Sequence, residues 1–277
     1  MEINNLSVER TFDLLDLYNT EYSSKKVALG GKNANGWYTY SAKEYVDYVN
    51  NLSYGLLSIG INRGDKIATV TVNRPEWNFI DLAIAQIGAV HVPIYPTISI
   101  EEYKYILEHC EARVVFVGDK KLYSKICDLV SETSMLEKIY SFDELESVEN
   151  WKKLVELGEQ FENKPLLDEI KASISSNDLA TIIYTSGTTG VPKGVMLSHE
   201  NLCSNFKAHS KHHPLGKEST AISFLPLCHV YERSMNYHFQ YKGLAIYYVG
   251  NLGQIMPALK EIKPDIFNTV PRLLERI

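Results

Sequence analysis

From about residue 40 onward, short apolar runs alternate with segments whose apolar positions recur at helical spacing, and this alternation limits the possible folds more than any other feature of the chain. Residues 40–61 carry the helical pattern. Asn62, Arg63, Gly64 and Asp65 interrupt it, and the apolar run 67–72 reads as a strand. The spacing then predicts a helix over 75–87, with proline tolerated in its first turn, and a strand over 90–94. A helix over 101–108, a strand over 114–117, a helix over 121–130 and a strand over 138–141 follow. Residues 143–177 are polar and charged, with a helix expected over 144–160. The alternation then resumes: strand 180–185, helix 201–211, strands 221–225 and 244–249, helix 255–262 and strand 265–270. Parallel neighbours need long crossover connections, so the expected class is α/β, with mostly parallel sheets and helices on both faces. The polar stretch suggests two parts: residues 1–176 as a first α/β subdomain, and 177–277 as the start of a second.

A chain of 277 residues buries roughly three quarters of its unfolded surface, which is ample for such sheets. Hydrophobic residues are 45% and charged residues 22%, which excludes a disordered or fibrous chain. The formal net charge of −6 supplies no electrostatic footprint for a nucleic-acid backbone, so no nucleic acid is expected as the main ligand. Cys110, Cys127, Cys203 and Cys228 are too scattered for a disulfide framework or a zinc cluster. The N-terminus has no basic head followed by an apolar run. The stretch 82–96 is broken by Gln86, Gly88 and His91, so no transmembrane segment is expected. The default setting is cytoplasmic, with peripheral membrane contact left open.

The segment that carries chemistry is TIIYTSGTTGVPKG, residues 181–194. A β-branched run leads into Thr185, Ser186, Gly187, Thr188, Thr189 and Gly190, which together offer hydroxyls and unhindered backbone N–H groups. Consecutive exposed amides make an anion-binding concavity. Lys193 adds a mobile positive charge, and Pro192 stiffens the approach to it. A polyphosphate needs this combination, because its charge must be met by donors already in place. The pattern is not the GxxxxGK[ST] loop, since Val195, Met196 and Leu197 follow the lysine and imply a strand rather than a helix. A plain hairpin turn is the bland alternative; it is set aside because hairpin connections take about two to five residues.

The string YTSGTTGVPKG resembles the phosphate loop of the adenylate-forming (AMP-binding) acyl-CoA synthetases and their relatives. The string GDKIATVTVNRPEWNFIDLAIAQIGAVHVPIYPTIS is similar to the N-terminal segment of that family. LPLCHVYERSM and NTVPRLLERI look most like its long-chain fatty acid–CoA ligase branch. The resemblance implies the N-terminal domain of the adenylate-forming fold and a two-step reaction. A carboxylate attacks the α-phosphate of ATP to give acyl-AMP and pyrophosphate, and the thiol of coenzyme A then displaces AMP. Carried onto matching positions, Thr185, Ser186, Gly187, Thr188, Thr189, Gly190 and Lys193 would cradle the terminal phosphates, with Thr185 also touching Mg2+. His229 would lie by the acyl pocket, so Lys193 and His229 are the catalytic candidates and His229 the substrate-binding one. The partners implied are a fatty acid or other carboxylic acid, ATP and coenzyme A.

Alone, a histidine between Cys228 and Val230 would sooner be a satisfied core residue; the resemblance tips it toward function. For Glu232 and Arg233 an exposed ion pair is the adequate reading. His209, His212 and His213 share helical spacing but lack a carboxylate or thiol partner, so a solvated helix end is expected. The resemblance also implies an adenine-binding segment, a ribose-binding aspartate, a hinge and a small C-terminal domain. None of these falls within the 277 residues, so the expectation is the N-terminal portion of a longer ligase, incomplete by itself. Two alternatives stand beside it: a non-catalytic nucleotide- or acyl-binding module, and adenylation of a different carboxylic acid.

Overall fold

The computed structural model of the chain describes residues 7–133, 135–185, 191–212 and 214–275. Among the described residues there are eleven strands. They are β1 (Leu29–Asn33), β2 (Gly36–Tyr40), β3 (Lys66–Val70), β4 (Val90–Ile94), β5 (Ala112–Val117), β6 (Lys138–Ser141), β7 (Leu179–Thr185), β8 (Lys193–Ser198), β9 (Thr220–Ser223), β10 (Ala245–Tyr248) and β11 (Ile266–Phe267). They form two sheets, and the chain divides into two compact units, one around each. The first unit gathers 1–47, 72–78 and 200–277; the second gathers 48–71 and 79–199. The sequence reading divides the chain at one point, 176/177, whereas these units interleave, because the N-terminal hairpin joins strands that come more than 180 residues later.

The first unit holds a five-stranded sheet in the order β11-β9-β10-β1-β2. All its pairings are parallel except β1 with β2. β9 leads through the helix Val230–Tyr241 to β10, and the chain then returns past β9 through the helix Ile255–Ile262 to β11. The chain therefore steps to opposite sides of β9, which makes the carboxyl ends of β9 and β11 a topological switch point, the place where open α/β sheets bind ligands. Ile222, Phe224, Val249, Ile255 and Ala258 form a buried cluster in this unit.

The second unit holds a six-stranded sheet in the order β6-β5-β3-β4-β7-β8, parallel except for β7 with β8. β4 is buried along its whole length, and Val92 and Ile94 pack with Val115, Val117, Tyr103 and Ile106. The polar residues that interrupt the apolar stretch 82–96 have partners. His91 Nδ1 lies 2.7 Å from Asp81 and Nε2 lies 2.9 Å from the Thr69 hydroxyl, while Gln86 Oε1 accepts from the Ser53 hydroxyl at 2.8 Å. Buried polar groups are tolerated on these terms.

The expected class is observed: mixed α/β, mostly parallel sheets flanked by helices. β4 and β6 have the expected bounds. Three differences have physical causes. The helix expected over 144–160 begins only at Lys152, because Asn150 bridges back to Ser141 and the residues between them form turns and bends rather than helix. The hairpin β1–β2 carries no apolar run for a pattern search to find, since glycines line its close contacts: a methyl on Gly31 would come 2.5 Å from the Tyr38 ring. The helix Val230–Tyr241 has no amphipathic stripe, because Ser234, Asn236, His238 and Gln240 are buried along with its apolar residues.

Candidate functional site

β7 and β8 carry the segment singled out by the sequence. β7 docks on the parallel sheet, and the Thr181 hydroxyl donates to the His91 carbonyl at 2.7 Å. At its far end Tyr184 is buried, with its hydroxyl 2.6 Å from His109 Nδ1; burial pushes the phenol's pKa up and keeps it neutral. Gly194 on β8 pairs with Tyr184. A methyl there would meet Ile182 Cγ2 at 2.7 Å and the Tyr184 ring at 3.2 Å, so the stem closes only around a glycine. One step further, Thr185 and Lys193 stand directly across the ladder, both exposed. Cross-strand partners of this kind have Cβ atoms about 5 Å apart. Seven residues, 186–192, connect them. The structure thus brings Thr185 together with Lys193, whereas Ser186, Gly187, Thr188, Thr189 and Gly190 lie outside the described residues. It also corrects the opposition drawn from sequence: the segment does sit on a β-hairpin, and a hairpin stem leaves a long connection free to serve as a ligand loop.

His229 belongs to the first unit, where a buried amide fixes the segment before it. Asn73 is 9% exposed. Its Nδ2 donates to the Leu225 carbonyl at 2.7 Å and to the Ser223 hydroxyl at 3.2 Å, and its Oδ1 accepts from the Leu227 N–H at 3.2 Å. One side chain thereby holds a carbonyl and an N–H two residues apart, as a neighbouring strand would. The His229 N–H then closes a turn onto the Pro226 carbonyl at 2.9 Å. His229 itself is exposed and N-caps the helix Val230–Tyr241, its Nδ1 accepting from the Tyr231 N–H at 3.2 Å. A backbone N–H can only donate, so Nδ1 carries the lone pair, and the neutral ring has its proton on Nε2. His229 therefore offers an N–H donor at the carboxyl end of the sheet.

The neighbours of His229 differ from expectation. Glu232 and Arg233 are each 1% exposed, so the exposed ion pair is not what the structure shows. Arg233 lies over the Trp77 ring, 5.3 Å from its centroid, and donates to the Tyr237 hydroxyl at 3.0 Å. The Glu232 carboxylate accepts from the Ser223 hydroxyl at 2.6 Å and from Asn268 Nδ2 at 3.3 Å. Burial pushes its pKa up to about 7, although both hydrogen bonds pull the other way. Sequence reasoning missed this group, because its burial depends on strand ends that come together only in the fold. The signal available was a Glu-Arg pair following Pro226 and His229 directly after a strand. Cys228, beside His229, is not poised as a thiolate, since burial pushes its pKa up to about 12. His209 is half-buried, His212 is exposed and His213 lies outside the described residues; among the described residues no cluster of three or more metal-ligating side chains occurs.

The model of a family described as AMP-binding enzyme matches residues 18–277. The curated long-chain-fatty-acid–CoA ligase FadD15 of Mycobacterium bovis is 30% identical over 243 residues, which is 87% of this chain and 40% of that protein. The chain spans about two fifths of the length of the curated relatives it matches. Among solved structures, a long-chain-fatty-acid–CoA ligase (FadD1) from Archaeoglobus fulgidus superimposes with a TM-score of 0.82 at 22% identity, over 97% of this chain and 53% of that one. The anthranilate CoA ligase AuaEII in complex with anthranoyl-AMP gives 0.81 at 19% identity, over 99% of this chain and 52% of that one. At such identities the structures establish a shared fold.

Proposed function

Because the chain belongs to the AMP-binding enzyme family, whose model spans residues 18–277, we propose that it binds ATP and a long-chain fatty acid and serves their conversion to acyl-adenylate and pyrophosphate, with coenzyme A as the acceptor of the acyl group. The observation that carries this reading is the hairpin stem. It sets the charge of Lys193 opposite the Thr185 hydroxyl at the mouth of a connection far longer than strand closure needs. The curated relatives named long-chain-fatty-acid–CoA ligases support the substrate class.

In the reaction a carboxylate oxygen bonds to the α-phosphorus, and the bond from that phosphorus to the β-bridging oxygen breaks. The leaving pyrophosphate takes the negative charge. Lys193 and the donors of residues 185–190 meet that charge where it grows, which favours the transition state over the bound substrate. His229 donates from Nε2 to one carboxylate oxygen of the acid and so fixes its orientation. In the second step the coenzyme A thiol loses its proton, sulfur bonds to the acyl carbon and AMP departs. Mg2+ keeps most of its water and phosphate ligands and needs few from protein. An exposed Thr185 hydroxyl at the stem end, with no acidic cage among the described residues, suits that mode. When bound, the ion would neutralise phosphate charge, and Thr185 would hold it.

Calorimetric titration of the chain with Mg-ATP tests the reading. Binding is expected, weakened roughly 10- to 100-fold by Lys193→Ala, the usual loss for a charge-assisted hydrogen bond. No binding of ATP or pyrophosphate overturns it. Isotope exchange between pyrophosphate and ATP then separates the substrates. Exchange stimulated by palmitate supports the fatty acid reading, and exchange with an aryl or amino acid alone moves the activity to that class. ATP binding with no exchange for any acid is the outcome that an incomplete N-terminal portion of a ligase and a nucleotide-binding module share, so ATP binding and its loss in Lys193→Ala carry the test for the chain itself.

A further inference from the structure

Both sheets turn back on themselves in the same way, and their switch points are closed differently. In the second unit the switch lies between β3 and β5, and the backbone continues the pairing past the strand ends: the Gly118 N–H donates to the Val70 carbonyl at 2.9 Å. In the first unit the switch lies between β9 and β11, and there a side chain spans it. Glu232, from the first turn of the helix Val230–Tyr241, takes the Ser223 hydroxyl at the end of β9 on Oε1 and the Asn268 amide just past β11 on Oε2. Ser223 in turn accepts from Asn73, the residue that holds Leu225 and Leu227 in place before His229. Every donor in this chain points toward the carboxylate, from Asn73 to Ser223 to Glu232 and from Asn268 to Glu232. Glu232, Ser223 and Asn268 are 1%, 0% and 6% exposed, so water does not compete for these bonds.

A buried carboxyl is an expensive way to fill space, and an apolar residue of the same size would serve packing at least as well. What an apolar residue would not supply is a fixed distance between two strand ends and a fixed rotamer for the serine on which Asn73 rests. We propose that Glu232 is a positioning residue for the carboxylate-binding edge of this sheet. By tying β9 to β11 and orienting Ser223 and Asn73, it holds residues 225–229 so that His229 presents Nε2–H to the acid substrate. The proposal rests on the reading of His229 as a carboxylate contact given under Proposed function.

The test is made on the unliganded chain, where it does not depend on turnover. Histidine imidazoles labelled with 15N are observed by long-range proton correlation at pH 8.5, with His229 assigned through His229→Gln. The wild-type ring is expected as a single Nε2–H tautomer. Glu232→Ala should release residues 225–229 and give a mixture of tautomers, and Glu232→Gln, which keeps an acceptor for Ser223, should restore the wild-type signal. A folded Glu232→Ala chain with an unchanged His229 spectrum overturns the proposal. Should that variant fail to fold, Ser223→Ala removes one hydroxyl and leaves the carboxyl in place; an unchanged His229 spectrum there overturns it equally. Palmitate affinity by calorimetry gives the functional readout. It should fall about tenfold in Glu232→Ala and recover in Glu232→Gln. A wild-type chain that does not bind palmitate overturns the fatty acid reading under Proposed function, while the tautomer spectrum still decides the role of Glu232.

Discussion

Each of the two sheets ends at one edge in an antiparallel hairpin, and the two hairpins differ in one respect. β1 and β2 are joined by Ala34 and Asn35 alone: Asn33 pairs with Gly36, and the Asn35 N–H folds back onto Asn33 Oδ1 at 2.8 Å. β7 and β8 pair just as regularly up to Thr185 and Lys193, and are then joined by seven residues. The chain can close a hairpin with two residues, so the other five at β7–β8 are not explained by closure. They are serine, threonine and glycine in the main, residues that present donors, and they are followed by a lysine at the base of the stem.

The strongest way to break the comparison is to make the two hairpins alike. Replacing residues 186–192 by Asn-Gly should abolish ATP binding. It should also leave the fold slightly more stable, by about 1 kcal/mol, because a shorter loop costs less entropy to close. Calorimetry and thermal unfolding read the two effects separately. Retained ATP affinity in that variant would remove the hairpin from the site.

A second prediction contrasts the sheets that the hairpins close. In the second, the buried carboxylate of Asp81 lies 2.7 Å from the His91 ring; in the first, the buried Glu232 takes hydrogen bonds from two neutral donors among the described residues, Ser223 and Asn268. Its folded pKa of about 7 lies above the ordinary 4.5, so the folded state holds a proton that the unfolded state has already released. Stability from this group is full below about pH 4.5 and is lost as pH rises through about 7, a span worth roughly 3 kcal/mol. Glu232→Gln should flatten that fall in chemical unfolding curves measured from pH 4.5 to 8. An unchanged slope would mean that Glu232 is ionised throughout.

How much of this could be read before folding follows from where each signal resides. β4 and β6 were legible because short runs with β-branched or aromatic apolar residues bounded by turn-prone segments read as strands, and Val90, Val92 and Ile94 in β4 and Ile139 and Tyr140 in β6 supply that signal. The strand after Lys193 was legible from Val195, Met196 and Leu197. The hairpin itself was not, since register is a pairing property and the connection exceeds the usual hairpin lengths. Nor was the helix Val230–Tyr241, which buries polar residues in partnerships made elsewhere in the chain: Asn236 and Gln240 both donate to Asn78 Oδ1, at 2.7 and 3.0 Å. At the site, the residue types of the loop and His229 were visible in one segment each. Glu232 was not, because its meaning lies in Ser223 and Asn268 meeting across a switch point.

Smaller changes sharpen the hairpin comparison by separating stem from loop. Gly194→Ala adds a methyl that must displace Ile182 and the Tyr184 ring, and overpacking of this kind costs roughly 1–3 kcal/mol. Because Thr185 and Lys193 lie one pair further on, ATP affinity should fall with the distorted stem, and the loss of melting temperature should accompany it. A stability loss with full ATP affinity would show that the loop does not need this stem geometry.

Gly36→Ala gives the smallest effect and the clearest control. Gly36 has φ of +114°, a conformation that costs a side chain about 1 kcal/mol or more, yet no atom lies within 4 Å of the added methyl. The penalty is therefore conformational and confined to the two-residue turn. Thermal unfolding should show that small loss, and Mg-ATP affinity should match wild type, because the turn at β1–β2 closes strands and does nothing else. A drop in affinity here would mean that the short hairpin also contributes to ligand binding, and the contrast between a connection that only closes and one that also binds would fail.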